Sequence, residues 1–193
     1  MNYLAHAYFS FNEPATMVGN LISDFIKGKK QFDYPADIQK GIRLHRAIDS
    51  FTDGHKAVAE AKKVFRPHYR LYAGAFVDVA FDYFIANDEA LFESEKALGE
   101  FAEATYRALR AHETFIPMVA TGYFKRMQQQ NWLFNYRYVW GIQKSFGGIV
   151  YRSAHLTDSA TAAFLFEENF FMLKACYGNF IPDLIALVDG HRG

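Results

Sequence analysis

Cysteine is nearly absent: Cys176 stands alone among 193 residues. That excludes an intramolecular disulfide and a zinc site built from thiolates. Net charge is also missing, since 21 Lys and Arg balance 21 Asp and Glu, and a global nucleic-acid binder is not expected. No uninterrupted apolar run approaches the ~18 residues that a membrane span takes, so no membrane partner is expected either. Residues Met1–Tyr8 lack the charged start and long apolar core of a signal peptide; a soluble, cytoplasmic chain is the expectation. Alternating strand patterns, internal repeats and low-complexity linkers are absent too.

Apolar and aromatic residues are abundant. Hydrophobic residues make up 51% of the chain and aromatic residues 18%, enough for one sizeable core. Charge is unevenly spread. Residues 1–70 carry eleven Lys and Arg against seven Asp and Glu, and residues 71–116 carry three against nine. The basic first part suits an acidic partner.

Helical periodicity runs through the whole chain. Pro14 opens a helix over 15–27 that Gly28 closes, and Pro35 and Gly54 bracket a helix over 36–53. Further helices are predicted over 56–65, 69–87 and 94–111, the last capped by Ser94. Pro117 starts one to about 130. Another covers 132–146 and stops at Gly147-Gly148, with Trp132, Phe134, Tyr136, Tyr138 and Trp140 mostly packing and some bordering a groove. Asp158 caps a helix to about 177, and 179–188 forms a short terminal one. The prediction is a single all-α domain over residues 1–193.

The chemistry concentrates where polar side chains interrupt apolar helix faces. His45, Asp49 and Asp53 follow Ile38 and Ile42 at four-residue steps, on a face that should be buried. Asn20 and Asp24 repeat the spacing. Asp78 and Asp82 do so inside a helix that is apolar all round, the mark of a central helix. Buried carboxylates are costly without a cation. An arginine such as Arg46 would serve structurally, whereas a metal would serve chemically. Three such pairs, with His6 ahead of them, favour a metal site built in a helical bundle. Imidazole and carboxylate without thiolate suits Mn²⁺ or Mg²⁺, and Fe²⁺ or Zn²⁺ less well.

Specific motifs carry a resemblance. Asn2-x-Leu-Ala-His6, Gly19-Asn20-Leu-x-x-Asp24-Phe-x-x-Gly28, Gly41-Ile-x-x-His45-Arg46-x-Ile-Asp49-x-x-Thr52-Asp53 and Asp78-x-x-x-Asp82 resemble the acyl carrier protein phosphodiesterase family, as do Asn131-Trp132-Leu133 and Tyr136. That family is similar to a divergent branch of the HD-type metal-dependent phosphohydrolases, which implies an HD-like helical bundle. It also implies removal of 4′-phosphopantetheine from holo-acyl carrier protein with a divalent metal, usually Mn²⁺. His6, Asp24, His45, Asp49, Asp78 and Asp82 become the expected ligand pool. Arg46 becomes a candidate phosphate clamp, Asn20 an orienting residue, and Asp53 a residue that orients His45 or caps a helix. Tyr83 stands where the family often has histidine. Two alternatives remain open: a phosphohydrolase acting on a small phosphoester or nucleotide, and a catalytically silent carrier-protein binder.

Overall fold

Two glycines let a pair of helices approach backbone to backbone. In the computed structural model, which describes residues 1–192, helix α2 (Pro14–Ile22) crosses helix α3 (Ala36–Gly54) with Gly19 and Gly41 at the contact. A Cβ on Gly19 would land on the Ile38 carbonyl, and a Cβ on Gly41 on the Thr16 carbonyl. No side chain fits at either place, so the two backbones pack directly and Asn20 is carried against α3.

Nine further α-helices complete the fold among the described residues. Helix α1 (Tyr3–Tyr8) precedes the pair; α4 (Lys56–Tyr69), α5 (Ala73–Ala86) and α6 (Glu95–Ala111) follow. The C-terminal half holds α7 (Met118–Gln129), α8 (Trp132–Asn135), α9 (Val139–Arg152), α10 (Ala160–Glu168) and α11 (Phe170–Asp189). No strand occurs among the described residues, as the missing alternation implied. Helix α5 is central: Phe76, Val77, Ala80, Phe81 and Ile85 are fully buried. Phe76 meets Phe65 and Phe146 at 5.6 and 5.3 Å between ring centroids, and Phe81 meets Phe180 at 5.5 Å. Such ring pairs add to the burial of their area.

Several boundaries differ from the sequence-based expectation. The first long helix stops at Ile22 and tightens into a 3₁₀ turn over Ser23–Phe25. Helix α4 runs on to Tyr69, with Pro67 in its last turns, and α5 begins only at Ala73. The aromatic helix expected over 132–146 is two. Asn131 adopts left-handed geometry (φ 48°, ψ 52°), which asparagine tolerates, and the chain turns again after Asn135. Gly147-Gly148 does not end α9, because Phe146 and Ile149 anchor that stretch in the core. Asp158 does cap α10, accepting from the Ala160 and Thr161 N–H groups, but α10 ends at Glu168. Residues 179–188 belong to α11. By length and mean hydropathy (1.3) α11 matches a membrane-crossing helix; here Leu173, Tyr177, Phe180, Leu184 and Val188 are buried in the core.

Candidate metal centre

His6 and His45 stack face to face, with ring centroids 4.0 Å apart and 17° between their planes. Both turn Nε2 to Asp49, at 3.2 Å (His6 to Oδ1) and 3.0 Å (His45 to Oδ2). His45 Nε2 also meets Asp24 Oδ1 at 3.1 Å. Thus His6, His45 and Asp49 offer ligating atoms within 4.8 Å of one another, with Asp24 at the edge. The expected i, i+4 pairing of His45 and Asp49 is present. Asp24 reaches the group from the 3₁₀ turn rather than from α2.

The surroundings fix α1, which carries His6. Asn20 donates from Nδ2 to the His6 carbonyl at 2.9 Å and to Ser10 Oγ at 3.0 Å. Asp82, wholly buried, accepts from the Leu4 and Ala5 N–H groups at 2.9 and 3.0 Å. A six-residue helix with no side-chain cap of its own thus has its first N–H groups satisfied from α5. Asp82 therefore positions the backbone that carries His6, which departs from its expected place as a ligand. Asp78 lines the cavity around the histidines; its Oδ1 lies 3.5 Å from the Met1 ammonium, which also sits 3.0 Å from Asp49.

Charge is strongly organised here. Burial alone would lower His45, but hydrogen bonds to Asp24 and Asp49 lift its pKa to about 9. Burial and then the His45 charge bring His6 down to about 4. Burial works to raise Asp49, yet bonds from His45 and His6 hold it well below the usual carboxylate range. The His45 bond lowers Asp24. Burial raises Asp78, and lifts Asp82 to about 7. The buried polar atoms His6 Nδ1, His45 Nδ1 and Asn20 Oδ1 have no hydrogen-bond partner among the described residues. Two imidazoles and two carboxylates converging without a thiolate fit a divalent cation.

Two expected residues lie elsewhere. Arg46 is exposed and donates to Gln31 Oε1 at 2.9 Å and to the Ile26 carbonyl at 3.3 Å; it does not line the cavity. Asp53 pairs with Lys62 at 2.8 Å. Each four-residue step advances about 40° around a helix, so two steps turn Asp53 away from His45 and towards α4. Tyr83 packs on Phe166 and Phe170 at 5.3 and 5.9 Å, so the position read as histidine in the resemblance is here a packing position. One residue was missed. Arg152, at the end of α9, lines the histidine cavity, and nothing in its local sequence marks it.

Comparison with known proteins follows the same line. The family model described as acyl carrier protein phosphodiesterase matches residues 1–184. A Klebsiella pneumoniae subsp. pneumoniae protein of that name is 30% identical over 192 residues, covering 100% of both chains. Proteins of that name from Yersinia pestis and Escherichia coli O157:H7 are each 26% identical, covering 96% of both chains. No solved structure matches.

Proposed function

Because the chain belongs to the acyl carrier protein phosphodiesterase family, we propose that it hydrolyses the phosphodiester joining 4′-phosphopantetheine to a carrier-protein serine. The products are apo-acyl carrier protein and the free phosphopantetheine arm. The observation that carries this reading is the convergence of His6, His45 and Asp49 within 4.8 Å in a chain of that family. Those three side chains, with Asp24 beside them, are the proposed metal holders. The mixed imidazole and carboxylate set supports Mn²⁺ or Fe²⁺ over the all-oxygen preference of Mg²⁺. A bound divalent cation supplies an acidified water and neutralises phosphoryl charge.

The chain's own residues do the positioning. Asn20 and Asp82 hold α1 at both ends, so His6 cannot drift from His45. Asp49 orients both imidazoles at once, a preorganisation that site geometry rewards. The test is incubation of holo-acyl carrier protein with the protein and Mn²⁺. Mass spectrometry should show loss of the phosphopantetheine group, chelator should abolish it, and Mn²⁺ should restore it. An unchanged carrier mass with metal bound would defeat the reading.

A further inference from the structure

The histidine cavity does not end at the histidines. It adjoins a second cleft, and Asn2, Val79 and Arg152 belong to the walls of both. One face of α9 forms a side of this cleft: Gly141, Lys144, Ser145, Gly148 and Arg152 recur at helical spacing. Trp132, Tyr136 and Trp140 supply an aromatic wall. The two chambers differ in charge. The first holds Asp24, Asp78 and the histidines together with Met1 and Arg152; the second holds no carboxylate and has Lys144 and Arg152. Arg152 makes no ion pair with any described residue; its guanidinium lies over Tyr123, 5.5 Å from the ring centroid. Its Nη1 comes within 3.5 Å of where a Cβ on Gly148 would stand, so the missing side chain there leaves that face open. Lys144 lies 4.9 Å over Trp140.

We propose that this cleft receives the pantetheine arm of the substrate, with Arg152 binding the phosphate where the two chambers join. The proposal rests on the reading above. A phosphodiester is stabilised by cationic charge at more than one oxygen, and Arg152 lines the same cavity as His6, His45 and Asp24, as a planar donor suited to phosphate. Beyond the phosphate, the arm is a slender chain of methyl, methylene and amide groups ending in a thiol. The aromatic wall and Val79, with the amides Asn2, Gln130 and Asn135, match that alternation. The carrier domain itself is too large to enter and stays outside.

The cleft carries its own reporter. The chain has two tryptophans, Trp132 and Trp140, and both line it. Titrating the Mn²⁺-loaded protein with 4′-phosphopantetheine should change tryptophan emission saturably. Pantetheine without phosphate should bind at least about 10-fold more weakly. Arg152→Gln should weaken phosphopantetheine by about 10-fold or more, leave pantetheine unchanged and leave Mn²⁺ affinity and the melting curve unchanged. Arg152→Lys should recover part of the loss. Unchanged emission, equal affinity of wild type and Arg152→Gln, or tighter binding of adenosine monophosphate overturns the assignment. If the wild type hydrolyses holo carrier while emission stays flat, the reaction stands and the cleft assignment fails. If metal-loaded protein releases no phosphopantetheine, the reaction fails and this assignment falls with it.

Discussion

His6 and His45 are stacked at 4.0 Å and share the carboxylate of Asp49, so one proton, not two, fits on the pair. A divalent cation would replace that proton. His45→Gln and Asp49→Asn should each weaken Mn²⁺ binding by about 100-fold or more and lower hydrolysis by a similar factor, in line with the loss of a primary ligand. Isothermal titration calorimetry reads the affinity. Near-normal Mn²⁺ binding in both variants removes the cluster as the metal centre.

The pH dependence of metal-free stability follows from His45. Its folded pKa is raised from 6.5 to about 9, so the folded state binds the proton more tightly. The stabilisation is fully present below pH 6.5 and is lost as pH rises through 9. Melting temperature in chelator should therefore fall between pH 6.5 and 9.5. The loss should be on the order of 1–3 kcal/mol, reduced because the side chains of Asp24 and Asp49 are open to solvent. His45→Gln should flatten that slope; an unchanged slope in the variant assigns it to another group.

Asp78 and Asp82 should part company on mutation. Asp82→Asn sets an amide N–H₂ against backbone N–H groups that now bond to a carboxylate. It should cost about 1–3 kcal/mol with or without metal. Asp78→Asn, which removes a half-buried carboxylate whose pKa burial raises, should shift metal-free stability by less than about 1 kcal/mol. Chelator-state thermal melts decide this, and equal losses for both would contradict the division of roles.

Docking should be electrostatic. Of the basic residues over 27–70, Lys40, Lys62 and Lys63 are paired with Glu13, Asp53 and Glu60. Lys27, Lys29, Lys30, Arg43, Lys56, Arg66 and Arg70 are exposed without a carboxylate partner among the described residues. An acidic carrier would meet these first, so kcat/KM for it should fall with added salt. Lys29→Glu with Lys30→Glu should lower it about 10-fold, while turnover of a small phosphodiester changes less than about 2-fold. Equal salt sensitivity for both substrates dismisses the docking surface.

The helical character of the chain and the meeting of His45 with Asp49 were legible because both are local: a period of 3.6 residues sets which side chains share a face. What each carboxylate meets is not local. Asp82 could be seen as buried, but its partners are backbone N–H groups in α1, far away in sequence. Asp53 belonged to the right stripe and was lost to the drift of that stripe around α3. Boundaries failed where packing overrode propensity, as at Gly147-Gly148, and where the chain broke after Asn135 inside an unbroken aromatic run. Arg152 was invisible because its importance comes only from which cavity it edges.

The dependence of α1 on α5 has a consequence for biosynthesis. His6, Asp24, His45 and Asp49 have all been synthesised before α3 is complete. A six-residue helix is too short to persist unaided, and its two N-terminal bonds wait for Asp82. At roughly 5–20 residues per second, the ligands exist for seconds before their frame does. A nascent chain arrested between α4 and α5 is expected to display every ligand and to hold Mn²⁺ only weakly. A metal held at this centre would then arrive late on the assembly line, as a seal on a domain whose central helix has already left the ribosome.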